Sequence, residues 1–245
     1  MIYNLINLVV GLFFIIGAFI ALKINNNKNL INFSIGMAFI VLIILLVTDI
    51  VPEALESFEN NKYLYVIAGA LIGIGILFLL EKLVPHHDHY EEKKNHHHDE
   101  HLKHIGTMTS IALIIHNLVE GMSIYGVVNG DLKTGLIYAL GVGMHNIPFG
   151  IEITAFFDNE KTKRNKWLFI IILSLSTFIG GLILYFFSAY LTETILGILL
   201  SVTTGMILYL VFNELFVELK ENFNKYSVYG IIAGVILMLI GVLIW

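Results

Sequence analysis

Long apolar segments constrain the fold of this chain more than any other feature of its sequence. Runs of about 20 mostly apolar residues recur from one end of the chain to the other, and an α-helix needs about 20 such residues to cross the hydrocarbon core of a bilayer. Backbone polar groups in lipid are most simply satisfied inside a helix. Since 57% of its residues are hydrophobic and only 13% are charged, the chain is predicted to be an all-α polytopic membrane protein. The eight predicted transmembrane helices are residues 2–22, 31–52, 63–84, 106–128, 132–157, 167–190, 194–217 and 227–245.

The basic residues support this number of helices independently. Cytoplasmic loops of membrane proteins carry an excess of Lys and Arg. Twelve of the 14 basic residues fall in the loops that follow predicted helices one, three, five and seven, and only Lys62 and Lys133 fall on the other side. We therefore predict a multi-pass protein of the cell (plasma) membrane with both termini extracellular. Because the chain has no cysteine, any metal site must use imidazole, carboxylate, amide or thioether ligands.

One polar segment interrupts the apolar pattern, between predicted helices three and four. The sequence HHDHYEEKKNHHHDEHLKH, residues 86–104, holds eight of the ten histidines. Neutral imidazoles bind zinc, nickel and similar ions, whereas a solvated linker would need no such role. Both interpretations stay open. We predict a single transmembrane domain, residues 1–245, that contains a His-rich cytoplasmic loop at residues 85–104.

The other two histidines lie inside predicted helices, each followed by asparagine. HNLVEG begins at His116 in helix four and HNIPFG begins at His145 in helix five. Both histidines fall about midway along their helices, which are antiparallel neighbours, so the imidazoles come to similar depth. Glu120 shares a face with His116 at i+4. Two imidazoles and a carboxylate are ligands that Zn²⁺ or Fe²⁺ accepts, although a His or Asn in a membrane can also serve only to hydrogen-bond neighbouring helices.

These paired motifs resemble the HN-x-x-E-G motifs of the ZIP (Zrt-, Irt-like) divalent metal transporters, especially the prokaryotic branch. DIVPEALE from Asp49 and GMILYLVFNELFVEL from Gly205 are similar to the ends of that family's helices two and seven. The resemblance implies a 3+2+3 inverted-repeat arrangement of helices and no enzymatic activity. It also implies that His116, Glu120 and His145 are metal ligands and that Asn117 and Asn146 contribute to a second metal site. Asp49 and Glu53 would then lie near the outer entrance, and Glu214 and Glu218 near the inner end of helix seven.

The sequence departs from the family pattern in helices five and six. Phe149 stands where the second motif carries Glu, and predicted helix six contains no Asp or Glu. Since a phenyl ring cannot coordinate a cation, we predict one metal site rather than two. Glu152 follows His145 at i+7 and could act as a fourth ligand or as a station on the exit path; an interfacial carboxylate is the alternative.

A short repeat agrees with an inverted architecture. Asp49 and Glu53 precede Phe58 with the same spacing with which Glu214 and Glu218 precede Phe223. Inverted repeats are common in transporters that alternate access around a midplane site. We predict inward transport of a divalent transition metal through a midplane site between helices four and five. Zinc is expected first, with iron, manganese, cobalt and cadmium as further substrates.

Other functions are weighed against this one. A non-transporting metal sensor or scaffold from the same family is the main alternative, and Phe149 is the feature that favours it. An intramembrane hydrolase has no supporting motif, since HExxH is absent from the sequence. The predicted partners are divalent metal ions and the lipid bilayer, with no nucleic acid; a homodimer is one open assembly, and the sequence does not determine the oligomeric state. No prosthetic group is expected.

Overall fold

A computed structural model of the chain describes residues 2–23, 28–83, 94–130, 132–157 and 163–244. All regular secondary structure in these residues is helical, and we number the eight helices in chain order. Two of them, α2 and α7, each contain a π-helical turn between two α-helical segments. The helices are α1 Ile2–Lys23; α2 Lys28–Leu45 with the π-turn Leu46–Ile50 and the segment Val51–Glu56; α3 Lys62–Leu83; α4 Lys94–Gly130; α5 Leu132–Phe156; α6 Lys163–Phe187; α7 Glu193–Tyr209 with the π-turn Leu210–Leu215 and the segment Phe216–Glu221; and α8 Lys225–Ile244.

The helices α1 to α7 are each long and apolar enough to cross a membrane. The eighth is also apolar, over the shorter range Lys225–Ile240. The prediction of an all-α polytopic membrane protein is therefore confirmed. Two helices run about one turn beyond their predicted ends, to Glu56 and Glu221, because their polar last turns continue the helix instead of ending it.

Helix α4 begins earlier than the sequence predicted, at Lys94. Residues 94–104 of the predicted His-rich loop therefore belong to the first turns of a helix. The remainder of that loop, residues 85–93, lies outside the described residues.

The helices differ in how much of their surface is buried. Over the most apolar 18 residues of α5, 67% of residues are buried, whereas the corresponding share in α3 is 22%. Exposed residues of α3 include Tyr63, Leu64 and Leu71, and an extended apolar surface of this kind marks a membrane-facing side. Helix α5 is thus central and α3 peripheral, so side chains on α5 can be shielded from lipid.

Glycines allow close packing between α1 and α5 and between α4 and α6. A Cβ atom placed at Gly17 of α1 or at Gly150 of α5 would lie 2.1 Å from a carbonyl oxygen of the facing helix. Gly121 of α4 and Gly180 of α6 show the same relationship at 2.0 Å. Small residues let helix backbones approach closely in membranes, so the pairs α1–α5 and α4–α6 are tightly packed.

The remaining four helices pack by the same device. A Cβ atom at Gly36 of α2 would lie 2.3 Å from a carbonyl oxygen of α8, and one at Gly230 of α8 would lie 1.9 Å from a carbonyl oxygen of α2. Between α3 and α7 the corresponding distances are 2.0 Å for Gly73 and 1.9 Å for Gly205. The pairs α2–α8 and α3–α7 are therefore also in backbone contact.

The two π-helical turns fall at related places. Asp49 lies in the turn of α2 and Glu214 in the turn of α7, the two carboxylates that the sequence repeat makes equivalent. In an inverted repeat, α1, α2 and α3 correspond in order to α6, α7 and α8, and α4 corresponds to α5. The pair α1–α5 is then equivalent to the pair α6–α4, and the pair α2–α8 is equivalent to the pair α7–α3. The glycine-mediated pairings agree with this scheme, while the 3+2+3 arrangement itself stays a prediction.

Candidate metal centre

Three predicted ligands, His116 and Glu120 on α4 and His145 on α5, meet inside the bundle. One ligand atom from each lies within 4.8 Å of the other two. Glu120 Oε1 is 3.5 Å from His116 Nε2 and 2.8 Å from His145 Nε2, and the two imidazole centroids are 6.3 Å apart. All three side chains are buried.

Local helix geometry explains how these residues meet. His116 and Glu120 are one turn apart on α4 and so point to the same face. A single residue separates the end of α4 at Gly130 from the start of α5 at Leu132. His116 lies 14 residues before that end and His145 lies 13 residues after that start. Because the two helices rise equally per residue, their histidines are level.

The donor set and its geometry suit a zinc ion. Ligand atoms about 2.0–2.2 Å from a tetrahedral zinc are about 3.3–3.6 Å apart, which matches the separation of 3.5 Å between His116 and Glu120. The distance of 2.8 Å from Glu120 to His145 would need to widen slightly. Apart from these contacts with one another, the carboxylate oxygens of Glu120 and the ring nitrogens of His116 have no hydrogen-bond partner among the described residues. Buried polar atoms without partners are costly, so a cation between them would stabilise the cluster.

Asn117 and Asn146 are fully buried beside the two histidines. The amide nitrogen of Asn146 donates a hydrogen bond to the carbonyl oxygen of Val10 at 3.4 Å. Within the described part of the chain, the amide oxygen of Asn146 and both side-chain polar atoms of Asn117 have no hydrogen-bond partner. Both asparagines therefore offer neutral oxygens next to the cluster, and a second-site role for them stays a prediction.

Phe149 is fully buried next to the cluster. Its ring stacks on Phe14 of α1, with centroids 6.5 Å apart, and meets the edge of the His145 imidazole at 6.4 Å. The position that carries Glu in the family motif is therefore occupied by an aromatic contact between α1 and α5. This arrangement agrees with the predicted loss of a bridging carboxylate.

Glu152, the predicted fourth ligand or exit station, is fully buried and lies outside the cluster. Neither of its carboxylate oxygens has a hydrogen-bond partner among the described residues. Its role as a ligand, an exit station or an interfacial carboxylate stays a prediction.

Asp49 and Glu53 approach the cluster from α2. Glu53 Oε1 accepts a hydrogen bond of 2.6 Å from the hydroxyl of Ser123, one turn beyond Glu120 on α4. Asp49 lies four residues before Glu53, in the π-helical turn of α2. The hydrogen bond joins Glu53 to α4 one turn from Glu120, and the role of Asp49 and Glu53 as an outer entrance stays a prediction.

A second group of potential ligands lies where α3, α4 and α7 meet. Glu81, His104 and Glu214 have ligand atoms within 4.8 Å of one another, and His104 Nε2 is 3.6 Å from Glu214 Oε1. The hydroxyl of Tyr209 donates a hydrogen bond to Glu81. Glu218, one turn beyond Glu214, is buried and accepts a bond of 2.7 Å from Asn222.

The sequence analysis identified Glu214 but missed its two partners. Glu81 stands at the end of an apolar helix and belongs to no motif. His104 is the last histidine of a long tract, and nothing in that tract distinguishes it from the other seven. Their meeting depends on helices far apart in the chain, so no local signal could have identified it.

Comparison with known proteins gives a consistent identification. A sequence model described as ZIP Zinc transporter matches residues 85–243. A zinc transporter ZupT from Akkermansia muciniphila is 29% identical over 248 residues, covering 92% of this chain and 90% of the relative. Zinc transporters ZupT from Chlorobium chlorochromatii and Streptococcus mutans are 25% and 24% identical, over 89% and 94% of this chain and 88% and 92% of the relatives. The family match spans more than half of the chain and includes both HN motifs, and we conclude that the chain belongs to the ZIP zinc transporter family.

Proposed function

We propose that this protein transports a divalent transition metal, with zinc as the first substrate, from outside the cell into the cytoplasm. The observation that carries the proposal is the buried cluster of His116, Glu120 and His145 inside helices long enough to cross a membrane. Ionisable groups at such depth are costly and mark substrate pathways. The relatives named as zinc transporters support the choice of zinc and of transport as the function.

The proposed path begins at Asp49 and Glu53 on the outer side. From there the ion reaches the central cluster, where side chains replace its water ligands. His104 is 12 residues before His116 on α4, so the second ligand group lies about 18 Å further toward the cytoplasm. Glu152 is about 10 Å along α5 from His145, between the two groups, and serves as an intermediate station rather than as a ligand of the centre.

The inner group would receive the ion before release. Glu81, His104 and Glu214 offer one nitrogen and two carboxylate donors, and Glu218 adds a carboxylate one turn further along α7. In this proposal the whole chain, residues 1–245, is one transporter domain with extracellular termini. The His-rich segment, residues 85–104, is cytoplasmic and continues the path. The homodimer stays a prediction.

The membrane potential alone could drive inward movement. An inside-negative potential contributes about 2.3 kcal/mol per elementary charge per 100 mV. A divalent ion gains twice this free energy when it moves inward. Transport without a coupled proton is therefore energetically feasible.

Uptake into proteoliposomes tests the proposal. We would compare Zn²⁺, Fe²⁺, Mn²⁺, Co²⁺ and Cd²⁺ for the native chain, for His116→Ala and for the control Glu56→Gln, which changes an exposed carboxylate at the end of α2. We expect zinc flux in the native chain and the control and none in His116→Ala. Equal flux in native and His116→Ala vesicles would contradict a pathway through this cluster.

The sensor alternative is favoured by one observation, the burial of Phe149 against Phe14 and His145. A sensor would bind zinc without flux. Absence of uptake by the native chain, together with a gain in Phe149→Glu, would replace the transporter proposal with this one.

A further inference from the structure

Glu152 of α5 is a buried carboxylate that lies apart from both groups of potential metal ligands. Its side chain is fully buried, and neither of its oxygens has a hydrogen-bond partner among the described residues. Burying a lone ionised carboxylate is very costly unless a positive charge or several hydrogen-bond donors compensate it. Glu152 therefore needs a cation close to it.

Thr109 of α4 lies at the level of Glu152 on the other helix of the hairpin. Thr109 precedes His116 by seven residues, and Glu152 follows His145 by seven residues. Since the two histidines are level and the two helices are antiparallel, both steps lead about 10 Å away from the connection between α4 and α5. Seven residues are close to two full turns, so Thr109 and Glu152 occupy the same faces of their helices as the two histidines.

Thr109 resembles Glu152 in its burial and in its lack of partners. Its side chain is fully buried, and within the part of the chain that the structure describes its hydroxyl has no hydrogen-bond partner. Neighbouring hydroxyls behave differently. Ser110 donates a hydrogen bond of 2.6 Å to the carbonyl oxygen of Gly106, and Thr154 donates one of 2.7 Å to that of Gly150. The hydroxyl of Thr109 is thus available to Glu152.

An apolar layer separates Thr109 and Glu152 from the central cluster. Leu113 lies between Thr109 and His116 on α4, and Phe149 lies between His145 and Glu152 on α5. Both of these apolar side chains are fully buried. The layer offers Glu152 neither a hydrogen-bond donor nor a positive charge.

The helices packed against α5 give Glu152 no basic partner either. These helices are α1, α2, α4, α6 and α8, and none of their described side chains is hydrogen-bonded to Glu152. His104 of α4 is about 7.5 Å along the helix from Thr109 and lies 3.6 Å from Glu214. Lys166 of α6 is buried but is not bonded to Glu152. The further ionisable side chains are Tyr3 and Lys23 of α1; Lys28, Asp49, Glu53 and Glu56 of α2; the charged residues and histidines of 94–103, His116, Glu120 and Tyr125 of α4; Lys133, Tyr138 and His145 of α5; Lys163, Arg164 and Tyr185 of α6; and Lys225, Tyr226 and Tyr229 of α8.

A proton is the cation that suits these two side chains. One carboxylate and one neutral hydroxyl balance a single positive charge, whereas a divalent ion held by them alone would leave an uncompensated charge. A protonated carboxyl has an O–H donor and an acceptor oxygen, and a threonine hydroxyl is both donor and acceptor. Glu152 and Thr109 can therefore satisfy each other as neutral hydrogen-bond partners, which removes the cost of burying them.

We propose that Glu152 and Thr109 form a proton-binding site between the central cluster and the inner ligand group, with Glu152 held as a neutral carboxylic acid. The inference rests on the proposed function, because an ion that moves between the two groups passes this level. For Glu152 to bind the passing ion, its O–H bond breaks, the electron pair stays on the carboxylate oxygen, and the proton leaves to water. When the ion moves on, the carboxylate takes up a proton again.

Infrared spectroscopy on the purified full-length chain tests the state of Glu152 without measuring transport. A protonated carboxyl has a C=O stretching band above the amide I band, which an ionised carboxylate lacks, and the band moves to higher wavenumber when its hydrogen bond is lost. We would compare the native chain with Glu152→Gln, Thr109→Val, Thr109→Ser and the control Glu56→Gln at neutral pH, each checked for an unchanged thermal transition. Gln is a matched substitution, because its amide keeps the shape and neutrality of the protonated acid.

We expect a carboxyl band in the native chain and in the control that is absent from Glu152→Gln. The band should move to higher wavenumber in Thr109→Val and keep its native position in Thr109→Ser. Absence of a band that depends on Glu152, or a native position of the band in Thr109→Val, would overturn the proton site.

Zinc uptake into proteoliposomes tests the exchange of the proton for the metal. Because Gln cannot release a proton to bind the ion, we expect Glu152→Gln to lower the maximal uptake rate several-fold, while the zinc affinity of the central cluster and the rate of the control stay native. A native uptake rate in Glu152→Gln would overturn the exchange. A native chain that shows the carboxyl band but takes up no zinc would contradict the proposed function and leave the proton site intact.

Discussion

Glu120 Oε1 on α4 lies 2.8 Å from His145 Nε2 on α5 and 3.5 Å from His116 Nε2 one turn away. A single carboxylate therefore connects the two HN motifs. Because α4 and α5 form a hairpin with one residue between them, the contact is set by distances along two helices, and it places the carboxylate between the two imidazoles.

This arrangement makes Glu120→Gln the most informative substitution at the centre. The amide keeps the shape of the side chain but removes the negative charge that balances a divalent ion. Loss of an outer-shell partner already costs about 10–100-fold in metal affinity, so we expect at least that loss for a direct ligand. Zinc competition against a chelating dye measures it, with Glu56→Gln as the control. Native affinity in the Gln variant would exclude Glu120 as a ligand.

Phe149 is expected to contribute mainly to stability. Its ring packs between Phe14 and His145, and removal of a buried Phe side chain costs about 3–5 kcal/mol in protein cores. We expect Phe149→Ala to lower the thermal transition in detergent clearly and Phe149→Leu to lower it less. A Phe149→Ala variant as stable as the native chain would show that the aromatic contact is dispensable.

Gly73 and Gly75 of α3 provide a matched pair, because only Gly73 lies against another helix. A Cβ atom at Gly73 of α3 would lie 2.0 Å from the carbonyl oxygen of Val202, whereas one at Gly75 would meet nothing within 4 Å. We therefore expect Gly73→Ala to destabilise the protein and Gly75→Ala to be neutral or stabilising, since Ala is favoured over Gly by up to about 1 kcal/mol in a helix. Equal transition temperatures for the two variants would contradict the close α3–α7 packing.

The inner ligand group is expected to affect release more than binding. His104→Gln and Glu214→Gln remove donors about 18 Å from the centre, so the maximal rate of zinc uptake should fall several-fold. The zinc affinity of the central cluster should not change. Stopped-flow uptake combined with zinc competition separates the two effects. Glu221→Gln, an exposed carboxylate at the end of α7, is the control, and native rates in both inner variants would remove this group from the path.

The absence of cysteine allows the membrane orientation to be tested directly. Single cysteines at Glu59, between α2 and α3, and at Lys225, at the start of α8, occupy exposed positions. With extracellular termini, Glu59→Cys should react with a membrane-impermeant maleimide in intact cells, and Lys225→Cys should react only after the cells are opened. The reverse pattern would invert the proposed orientation.

Several features followed from local sequence alone. Apolar runs of membrane-spanning length predicted the helices, because a helix satisfies its backbone within the segment itself. The spacing of His116 and Glu120 predicted their shared face, because i and i+4 are adjacent on any α-helix. The level of His145 followed from the short connection between α4 and α5.

Tertiary structure decided the contacts between distant helices. The meeting of Glu81, His104 and Glu214, the hydrogen bond between Ser123 and Glu53, and the burial of Glu152 all depend on which helix faces which. Apolar surface is compatible with many helix arrangements in lipid, so hydrophobicity does not select one. The selection comes from close backbone contacts at particular glycines, which the sequence contains but whose partners appear only when the helices are packed together.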